Sequence, residues 1–301
     1  MSLIQLLVDG LALGAAYALV AAGFVLVISA TGAVNFAQGD LVMAGGYIAL
    51  VLAGWSGLPG WLLLPLVMAV MAGVGLLVAA LAYAPLRNRP PVTVFVSTIA
   101  VGVMLQNGAN ALFGAEPRAT PALLGSGVVS LGGLVLARQS IAVIGAAAVI
   151  FAALGFTLAR TQLGRQLRAT AQDRTMAAAL GIPVGRMIAL TFALSAALAG
   201  SAGLLLSNTY FLTPTEGGIY IVKAYIAVAI GGWGSLTGAL LGACLIALFE
   251  SVYPALPALL PGLPNAWFSQ SVSTIMLYGV LVLILCVRPQ GLMPASAQGR
   301  V

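Results

Sequence analysis

The side chains with chemistry to offer in this chain are mostly amides, and they lie in two stretches of otherwise apolar sequence. The stretch TGAVNFAQGD holds Asn35 and Gln38, and the stretch VGVMLQNGAN holds Gln106, Asn107 and Asn110. An amide surrounded by apolar groups must find a hydrogen-bond partner, so these side chains either join neighbouring helices or face a water-filled path. Asn35 and Gln38 are the better candidates for a path, because the glycines beside them expose backbone carbonyls.

Side chains that commonly perform catalysis are scarce. Histidine is absent, which removes the commonest general base and the commonest transition-metal ligand. Asp40 and Glu250 lie close to the predicted ends of apolar segments, so we interpret them as solvated or capping groups rather than a proton relay. Cys244 and Cys286 lie in apolar runs and are interpreted as small buried residues. With no paired carboxylates, phosphate loop or nucleophile motif, we expect no enzyme and no metal or cofactor bound by this chain.

The composition indicates a polytopic membrane protein. Of 301 residues, 61% are hydrophobic and 6% are charged, and the mean hydropathy is +1.12. A soluble domain carries about 25% charged residues, so these residues cannot cover a water-facing surface. The net charge of +6 comes from arginines between apolar runs rather than on one basic face. It therefore indicates membrane orientation, not nucleic-acid binding.

The apolar runs predict an all-α bundle of about 8–10 membrane segments, some of them discontinuous or re-entrant. A spanning helix needs about 20 mostly apolar residues, and the 37 glycines favour close helix packing. We expect a single transmembrane domain over residues 1–301, because no linker divides the chain. The long apolar runs lie near residues 6–28, 33–53, 61–84, 92–113, 140–160, 187–207, 221–250 and 268–287.

The positive residues predict the orientation of the bundle. Residues 114–139 are expected on the outer side, and nine of the twelve basic residues are expected in the cytoplasm. These nine are Arg87, Arg89, Arg160, Arg165, Arg168, Arg174, Arg186, Arg288 and Arg300.

This orientation requires residues 221–250 to enter and leave by the same side. One helix cannot do so, and we expect two short segments with a bend at GGWGS, which includes Gly231 and Gly232. The stretch TGAVNFAQGD is interpreted as a second helix interruption near a translocation path, with a surface turn as the alternative. NFAQGDLVMAGG and GGWGSLTGALLG are weakly similar, which leaves open an internal repeat of the kind found in transporters.

The basic loop over residues 160–186 has two interpretations. Residues 165–180 are rich in good helix formers, and Gly181 and Pro183 end that helix. A short rigid helix below the membrane could transmit motion from a soluble partner. Alternatively, the loop only orients the protein.

This loop resembles the coupling helix of ABC-importer permeases, in which Glu-Ala-Ala is followed by a glycine. The matching stretch is AQDRTMAAALGI, with Asp173, Ala177, Ala178 and Gly181 in the pattern, although the strict Glu-Ala-Ala triplet is absent. GLALGAAYALVAAGFVLVISATGAVNFAQGDLVMAGGYIAL, AVAIGGWGSLTGALLGA and VRPQGLM extend the resemblance. Together they closely resemble the branched-chain amino acid permease family over nearly the whole chain.

The resemblance implies the membrane subunit of an ATP-driven importer of branched-chain amino acids in the bacterial inner membrane. The implied partners are a second permease subunit, preferably a related chain, two cytoplasmic ATPases and an external solute-binding protein. ATP and Mg would be used by the ATPases, and this chain would bind no cofactor. The residues implied in coupling are Arg165, Arg168, Asp173, Arg174, Ala177, Ala178 and Gly181.

The residues that line the path remain a hypothesis, and so does the substrate. Alternatives are an ABC permease for urea or short amides, and a channel or ion-coupled carrier outside the ABC class. A carrier would require an intramembrane acid or charge pair. The candidates for the path are Asn35, Gln38, Gln106, Asn110, Gly231 and Gly232.

Overall fold

Helices form almost all of the structure, which is a computed structural model that describes residues 3–125, 127–131, 134–259 and 264–293. The helices within these ranges are α1 (Leu3–Thr31), α2 (Gln38–Ser56), α3 (Gly60–Val78), α4 (Pro91–Phe113), α5 (Arg138–Arg160), α6 (Gln162–Gln172), α7 (Arg174–Ala179), α8 (Val184–Leu206), α9 (Gly217–Gly231), α10 (Leu236–Val252), α11 (Leu256–Leu259) and α12 (Gln270–Val287). A π-helical turn (Ala79–Tyr83) and a 3₁₀ turn (Ala84–Leu86) prolong α3. Two further 3₁₀ turns are Tyr253–Ala255 and Asn265–Phe268.

Eight of the described helices, counted with their extensions, are long and apolar enough to cross a membrane. This confirms the predicted all-α polytopic bundle. The apolar run at 221–250 is divided, because α9 ends at Gly231 and α10 begins at Leu236. A helix of 15 residues is about 22 Å long, too short for a hydrocarbon core of about 30 Å. The predicted bend at GGWGS is therefore confirmed, and α9 is a half-helix.

The arginines expected in the cytoplasm, as far as the structure describes them, lie together at one end of the bundle, the basic end. One cavity there is lined by Arg87, Arg174 and Val184, and another by Ala30, Arg168 and Gly234, so the ends of α1 and α3 and the starts of α8 and α10 share this end. The positive-inside rule assigns it to the cytoplasm. Arg300 lies outside the described residues.

The opposite, outer end carries the segment between α4 and α5. There Ser140 Oγ donates to Asp9 Oδ1 at 2.7 Å, and Arg118 and Leu212 pair through their backbones. The strands β1 (Val128–Leu131) and β2 (Leu134–Ala137) form an antiparallel hairpin in this segment. The described residues between 114 and 139 thus lie opposite the basic end, as predicted.

The core is built on α1 and α8, the two most buried spans. Glycines let the helices approach closely, since a Cβ on Gly14 would contact Cys244 and one on Gly45 would overlap Gly200. A Cβ on Gly75 would overlap the carbonyl of Phe192. These contacts join α1 to α10, α2 to α8 and α3 to α8, so the predicted packing through small residues is confirmed.

The chain re-enters the bundle between α1 and α2. Gln38, the first residue of α2, lies beside Gly23 and Ser195. Thr31, where α1 ends, follows Gly23 by eight residues, or about 12 Å along the helix. Residues 32–37, which we call the return segment, therefore lead back from the basic end into the interior. The stretch TGAVNFAQGD therefore forms a buried helix interruption and not a surface turn.

The chain re-enters a second time between α8 and α9, from the outer end. Leu212 packs against Gly46, and α9 begins at Gly217 against Gly39 and Asp40. The half-helix α9 and helix α2 thus start side by side in the interior and run toward opposite ends. The units α1–α2–α3 and α8–α9–α10 follow one pattern in opposite directions, which is an inverted repeat.

The repeat is present, but its predicted alignment is wrong. GGWGSLTGALLG forms the turn at the basic end between α9 and α10, whereas NFAQGD opens the interior start of α2. Glycine-rich sequence is compatible with both a tight turn and a close backbone approach, so the two could not be distinguished by composition.

Candidate functional site

The coupling segment, residues 160–186, contains two short helices rather than the single helix predicted over residues 165–180. Asp173 separates α6 from α7 with an extended backbone, φ −152° and ψ 110°. Its Oδ1 accepts hydrogen bonds from the backbone N–H groups of Thr175 at 2.8 Å and Met176 at 2.9 Å. Helix propensity missed this break, because an aspartate N-cap satisfies the free amides of a new helix and so permits it to start.

The end of the coupling segment follows the prediction. Gly181 has φ +79°, the left-handed conformation that ends helices at glycine. The N–H of Ile182 donates to the carbonyl of Ala177 at 3.0 Å, which closes the turn.

Two inward contacts connect the coupling segment to the membrane helices. The guanidinium of Arg168 donates to the carbonyl of Leu158 near the end of α5. Arg174 Nη2 lies against Gly32, the first residue of the return segment, so that a Cβ there would be 3.3 Å away. Displacement of α6 or α7 would therefore act on both α5 and the return segment.

The coupling segment also presents an exposed apolar pair. The side chains of Met176 and Leu180 are 59% and 73% exposed at the basic end. Their spacing of four residues places them on one face of the α7 turn. Their i,i+4 spacing in RTMAAAL was the available signal, but sequence reasoning concentrated on the charged residues.

The start of α2 is fixed by a polar cluster in the interior. Ser195 Oγ lies 2.7 Å from Gln38 Oε1 and 2.9 Å from the carbonyl of Gly23, and donates toward both. Gln38 Nε2 in turn donates to the carbonyl of Ser195 at 3.4 Å. Gln38 thus connects α2 to α8, next to α1.

Asn35 lies in the return segment with part of its hydrogen-bonding capacity unused. Its Oδ1 accepts from the backbone N–H of Ala37 at 3.2 Å. Its Nδ2 is buried and has no hydrogen-bond partner among the described residues. The neighbouring N–H of Phe36 donates to Thr98 Oγ1 on α4 at 3.0 Å. The return segment is therefore held on α4 with one buried donor free.

Asp40 lies where the two interior helix starts meet. Gln106 Nε2 on α4 donates to its Oδ1 at 2.7 Å. A Cβ on Gly102 or on Gly217 would overlap this carboxylate, so Asp40 contacts the backbone of both α4 and α9. A negative charge here complements the positive ends of α2 and α9. The expectation of a solvated Asp40 is wrong, because the residue is buried.

The sequence matches a family profile over residues 6–285, and that family is described as the permease component of the branched-chain amino acid transport system. The chain belongs to this family. It is 32% identical to the high-affinity branched-chain amino acid transport system permease protein BraD of Pseudomonas aeruginosa, over 96% of this chain and 95% of BraD. It is 31% identical to the corresponding LivH of Escherichia coli K12, with the same coverage of both chains. A probable LivH of Methanocaldococcus jannaschii is 30% identical over 78% of this chain and 76% of its own length.

Family membership confirms the permease interpretation over the channel and carrier alternatives. The chain is a multi-pass permease of the bacterial inner membrane, and permease components of this kind work with ATPase and binding-protein partners.

The permease also contains a buried ion pair that sequence reasoning missed. Lys223 Nζ on α9 lies 3.0 Å from Glu250 Oε2 on α10, and Tyr17 OH on α1 donates to the same oxygen at 3.1 Å. Glu250 lies near the end of α10, as expected, but it is buried rather than solvated. The signal was available, because Lys223 is the only lysine in the sequence and lies within the apolar run YIVKAYIAV.

The predicted path residues fall in three places. Asn35, Gln38 and Gln106 surround the start of α2, as described above. Asn110 lies on the exposed side of α4. Gly231 and Gly232 lie in the turn at the basic end, where Met293 N–H donates to the carbonyl of Gly231 at 2.8 Å. The structure therefore does not bring the six residues together.

The predicted coupling residues lie in one segment but face different ways. Ala177 is buried and Arg174 is half-buried, whereas the others are exposed, namely Arg165, Arg168, Asp173, Ala178 and Gly181.

Proposed function

We propose that this permease is the transmembrane subunit of an ATP-driven importer of branched-chain amino acids. In the proposed assembly it acts as a single membrane domain beside a second, related permease chain, with two cytoplasmic ATPases and an external solute-binding protein. ATP and Mg are held by the ATPases. The similarity to BraD and LivH, which are permease proteins of high-affinity branched-chain amino acid transport systems, supports the substrate class.

The observation that carries the coupling role is the exposed apolar pair, Met176 and Leu180. Large apolar side chains in a basic, water-facing segment are typical of a protein contact. Asp173 and Gly181 fix the two ends of α7 and so fix the position of that pair.

Motion of the ATPases reaches the membrane interior through contiguous contacts. Arg174 lies against Gly32, and the return segment leads from Gly32 to Gln38 at the start of α2. Asp40, in the first turn of α2, contacts the start of α9 at Gly217. A displacement of α7 thus acts on the junction of the two interior helix starts, which is where a change of access between the two sides would be made.

We propose that the path runs past this junction. Asn35 supplies a buried free donor, Gln38 and Gln106 supply amides, and Asn110 continues a polar line along the exposed side of α4. An amide exposed on a membrane helix is costly against lipid and favourable against water or a second subunit. Gly231 and Gly232 would border the path at the basic end.

The proposal is tested by co-purification and transport. The permease is purified gently from native membranes and its partners are identified by mass spectrometry, and ATP-dependent leucine uptake is then measured in proteoliposomes of the assembly. Met176→Ser with Leu180→Ser is expected to lower ATPase recovery and uptake together, whereas Thr175→Ser, an exposed change in the same turn, leaves both unchanged. Absence of an ATPase even after crosslinking, or uptake driven without ATP, would contradict the proposal.

A further inference from the structure

A cavity of about 490 Å³ lies at the basic end beside the end of α3. Its walls come from three elements that are distant in sequence. The prolonged end of α3 contributes Leu76, Ala80 and Arg87, the start of α7 contributes Arg174, and α8 contributes Ile188. The cavity is therefore part of the folded bundle rather than a crevice within one loop.

Two cationic groups at this cavity have no acidic partner. Neither Arg87 nor Arg174 forms an ion pair with any described residue, since the ion pair within 4.0 Å in those ranges joins Lys223 and Glu250. Arg174 is half-buried and Arg87 is exposed. The neighbouring Asp173 directs its Oδ1 at the amides of α7 instead. Two guanidinium groups that line one cavity without a counter-charge form a site for an anion, and arginine is well suited to phosphate.

Apart from Asn88 beside Arg87 and the hydroxyl of Tyr83, the rest of the cavity lining is apolar, and it follows the membrane-facing side of α3. Leu76, at its apolar limit, is 44% exposed, and the next outward-facing side chain on this helix, Leu77, is 60% exposed. From Leu76 to Arg87 is about 16 Å along the helix, close to half of a hydrocarbon core of about 30 Å. The site is thus apolar at membrane depth and cationic at the cytoplasmic boundary.

The local backbone leaves room for an elongated ligand. The turn over Ala79–Tyr83 is π-helical, and wider turns of this kind occur often at functional sites. Of the side chains that line the cavity here, Ala79, Ala80 and Ala84 are small, and Tyr83 is large.

The geometry points to a binding site for an anionic phospholipid of the cytoplasmic leaflet, with its phosphate between Arg87 and Arg174 and an acyl chain along Leu76 and Ala80. Free phosphate offers the same charge but leaves the apolar part empty. An acidic segment of a partner protein would also leave the membrane-depth part unfilled. Basic pockets between membrane helices on the cytoplasmic side recognise lipid headgroups in this way.

The inference is tested on the purified permease, with whatever subunits accompany it, by native mass spectrometry during titration with phosphatidylglycerol and, separately, phosphatidylcholine. We expect preferential binding of phosphatidylglycerol. Arg87→Gln with Arg174→Gln should weaken it at least about tenfold, because each surface arginine contributes about 1 kcal/mol to anionic lipid binding. Arg186→Gln is the matched control, since Arg186 is an exposed arginine at the same end that does not line the cavity.

A second variant tests the apolar part without altering charge. Ala80→Trp fills the cavity from an exposed position on α3 and should also abolish preferential binding. Equal binding of both lipids by the wild type, or unchanged binding by the double arginine variant, would overturn the inference. So would full displacement of the lipid by inorganic phosphate, or retention by Ala80→Trp, since either result indicates a simple anion site. Crosslinks from position 87 to an ATPase, with no bound lipid, would assign the cavity to a protein partner instead.

Discussion

Lys223 Nζ lies 3.0 Å from Glu250 Oε2 in the interior of the bundle, and its ammonium also lies 4.8 Å from the centre of the Tyr17 ring. This ion pair joins the half-helix α9 to α10, and the hydrogen bond from Tyr17 to Glu250 connects α1 to the same pair. A helix as short as α9 cannot be held by spanning the bilayer, so side-chain contacts of this kind must position it. The pair is consistent with a structural role in a permease, because its two charges neutralise each other.

Removal of one partner of this pair should be costly. Glu250→Gln leaves the charge of the half-buried Lys223 unpaired. Loss of one member of a fully buried pair typically costs about 3–5 kcal/mol, and we expect a smaller loss here. We expect a lower melting temperature in detergent. Lys223→Leu combined with Glu250→Leu should recover much of the loss, because it removes both charges. A double variant no more stable than Glu250→Gln would refute the assignment of the loss to an unpaired charge.

Two adjacent glycines give a sharp test of the helix junction. A Cβ on Gly217 would overlap the Asp40 carboxylate, whereas a Cβ on Gly218 would meet nothing within 4 Å. Both residues lie in the first turn of α9, so helix propensity is matched. Gly217→Ala should lower thermal stability and uptake, and Gly218→Ala should be neutral or stabilising by up to about 1 kcal/mol. The measurements are melting in detergent and leucine uptake, and equal behaviour of the two variants would contradict the close contact.

Alanine substitutions of the two amides near the start of α2 should have different effects, one mainly on stability and the other mainly on transport. Gln38→Ala removes two hydrogen bonds with Ser195, and we expect a loss of stability of about 1–3 kcal/mol. Asn35→Ala removes a side chain whose Nδ2 has no described partner, so stability should change by less. Under the proposed path, Asn35→Ala should still lower leucine uptake severalfold in normally inserted protein. Unchanged uptake would remove Asn35 from the path.

Substitution of the residues that cap the two ends of α7 should impair coupling to the ATPases without impairing membrane insertion. Gly181→Ala places a side chain at φ +79°, which costs about 1–2 kcal/mol locally, and Asp173→Ala removes an N-cap that contributes about 1 kcal/mol. Both should lower substrate-stimulated ATPase activity while the amount of permease in the membrane stays normal. Gly185→Ala is the control, because a Cβ there meets open space in a helical conformation. Normal coupling in both cap variants would count against the role of α7.

Hydropathy and the distribution of arginine were sufficient to predict the class of fold, the two ends of the bundle and the division of residues 221–250. The division followed from the orientation. The loops before and after residues 221–250 had both been assigned to the outer side, and a single membrane-crossing helix cannot connect two loops on the same side. The interior contacts were beyond such reasoning. Whether Asp40 is solvated depends on Gly102 and Gly217, which are 62 and 177 residues away in sequence, and only the folded chain brings them to it.

The same limit applies to the candidate site. The coupling segment could be located from its pattern, but the break at Asp173 depends on a competition between helix continuation and capping that propensities do not settle. Lys223 could have been noticed as a lone lysine in an apolar run, yet its partner 27 residues later is brought near only by the turn at Gly232.

The opposed courses of α1–α2–α3 and α8–α9–α10 have a consequence for how this permease can change shape. Two units of like architecture that differ in detailed packing can exchange those packings, and the exchange produces a conformer whose accessible side is reversed. The geometry of this second conformer can be built by giving α1–α2–α3 the interhelical angles that α8–α9–α10 has now, and the reverse. That geometry gives expected distances between spin labels on α3 and α10. Measuring these distances after nucleotide is added would show whether the second conformer forms.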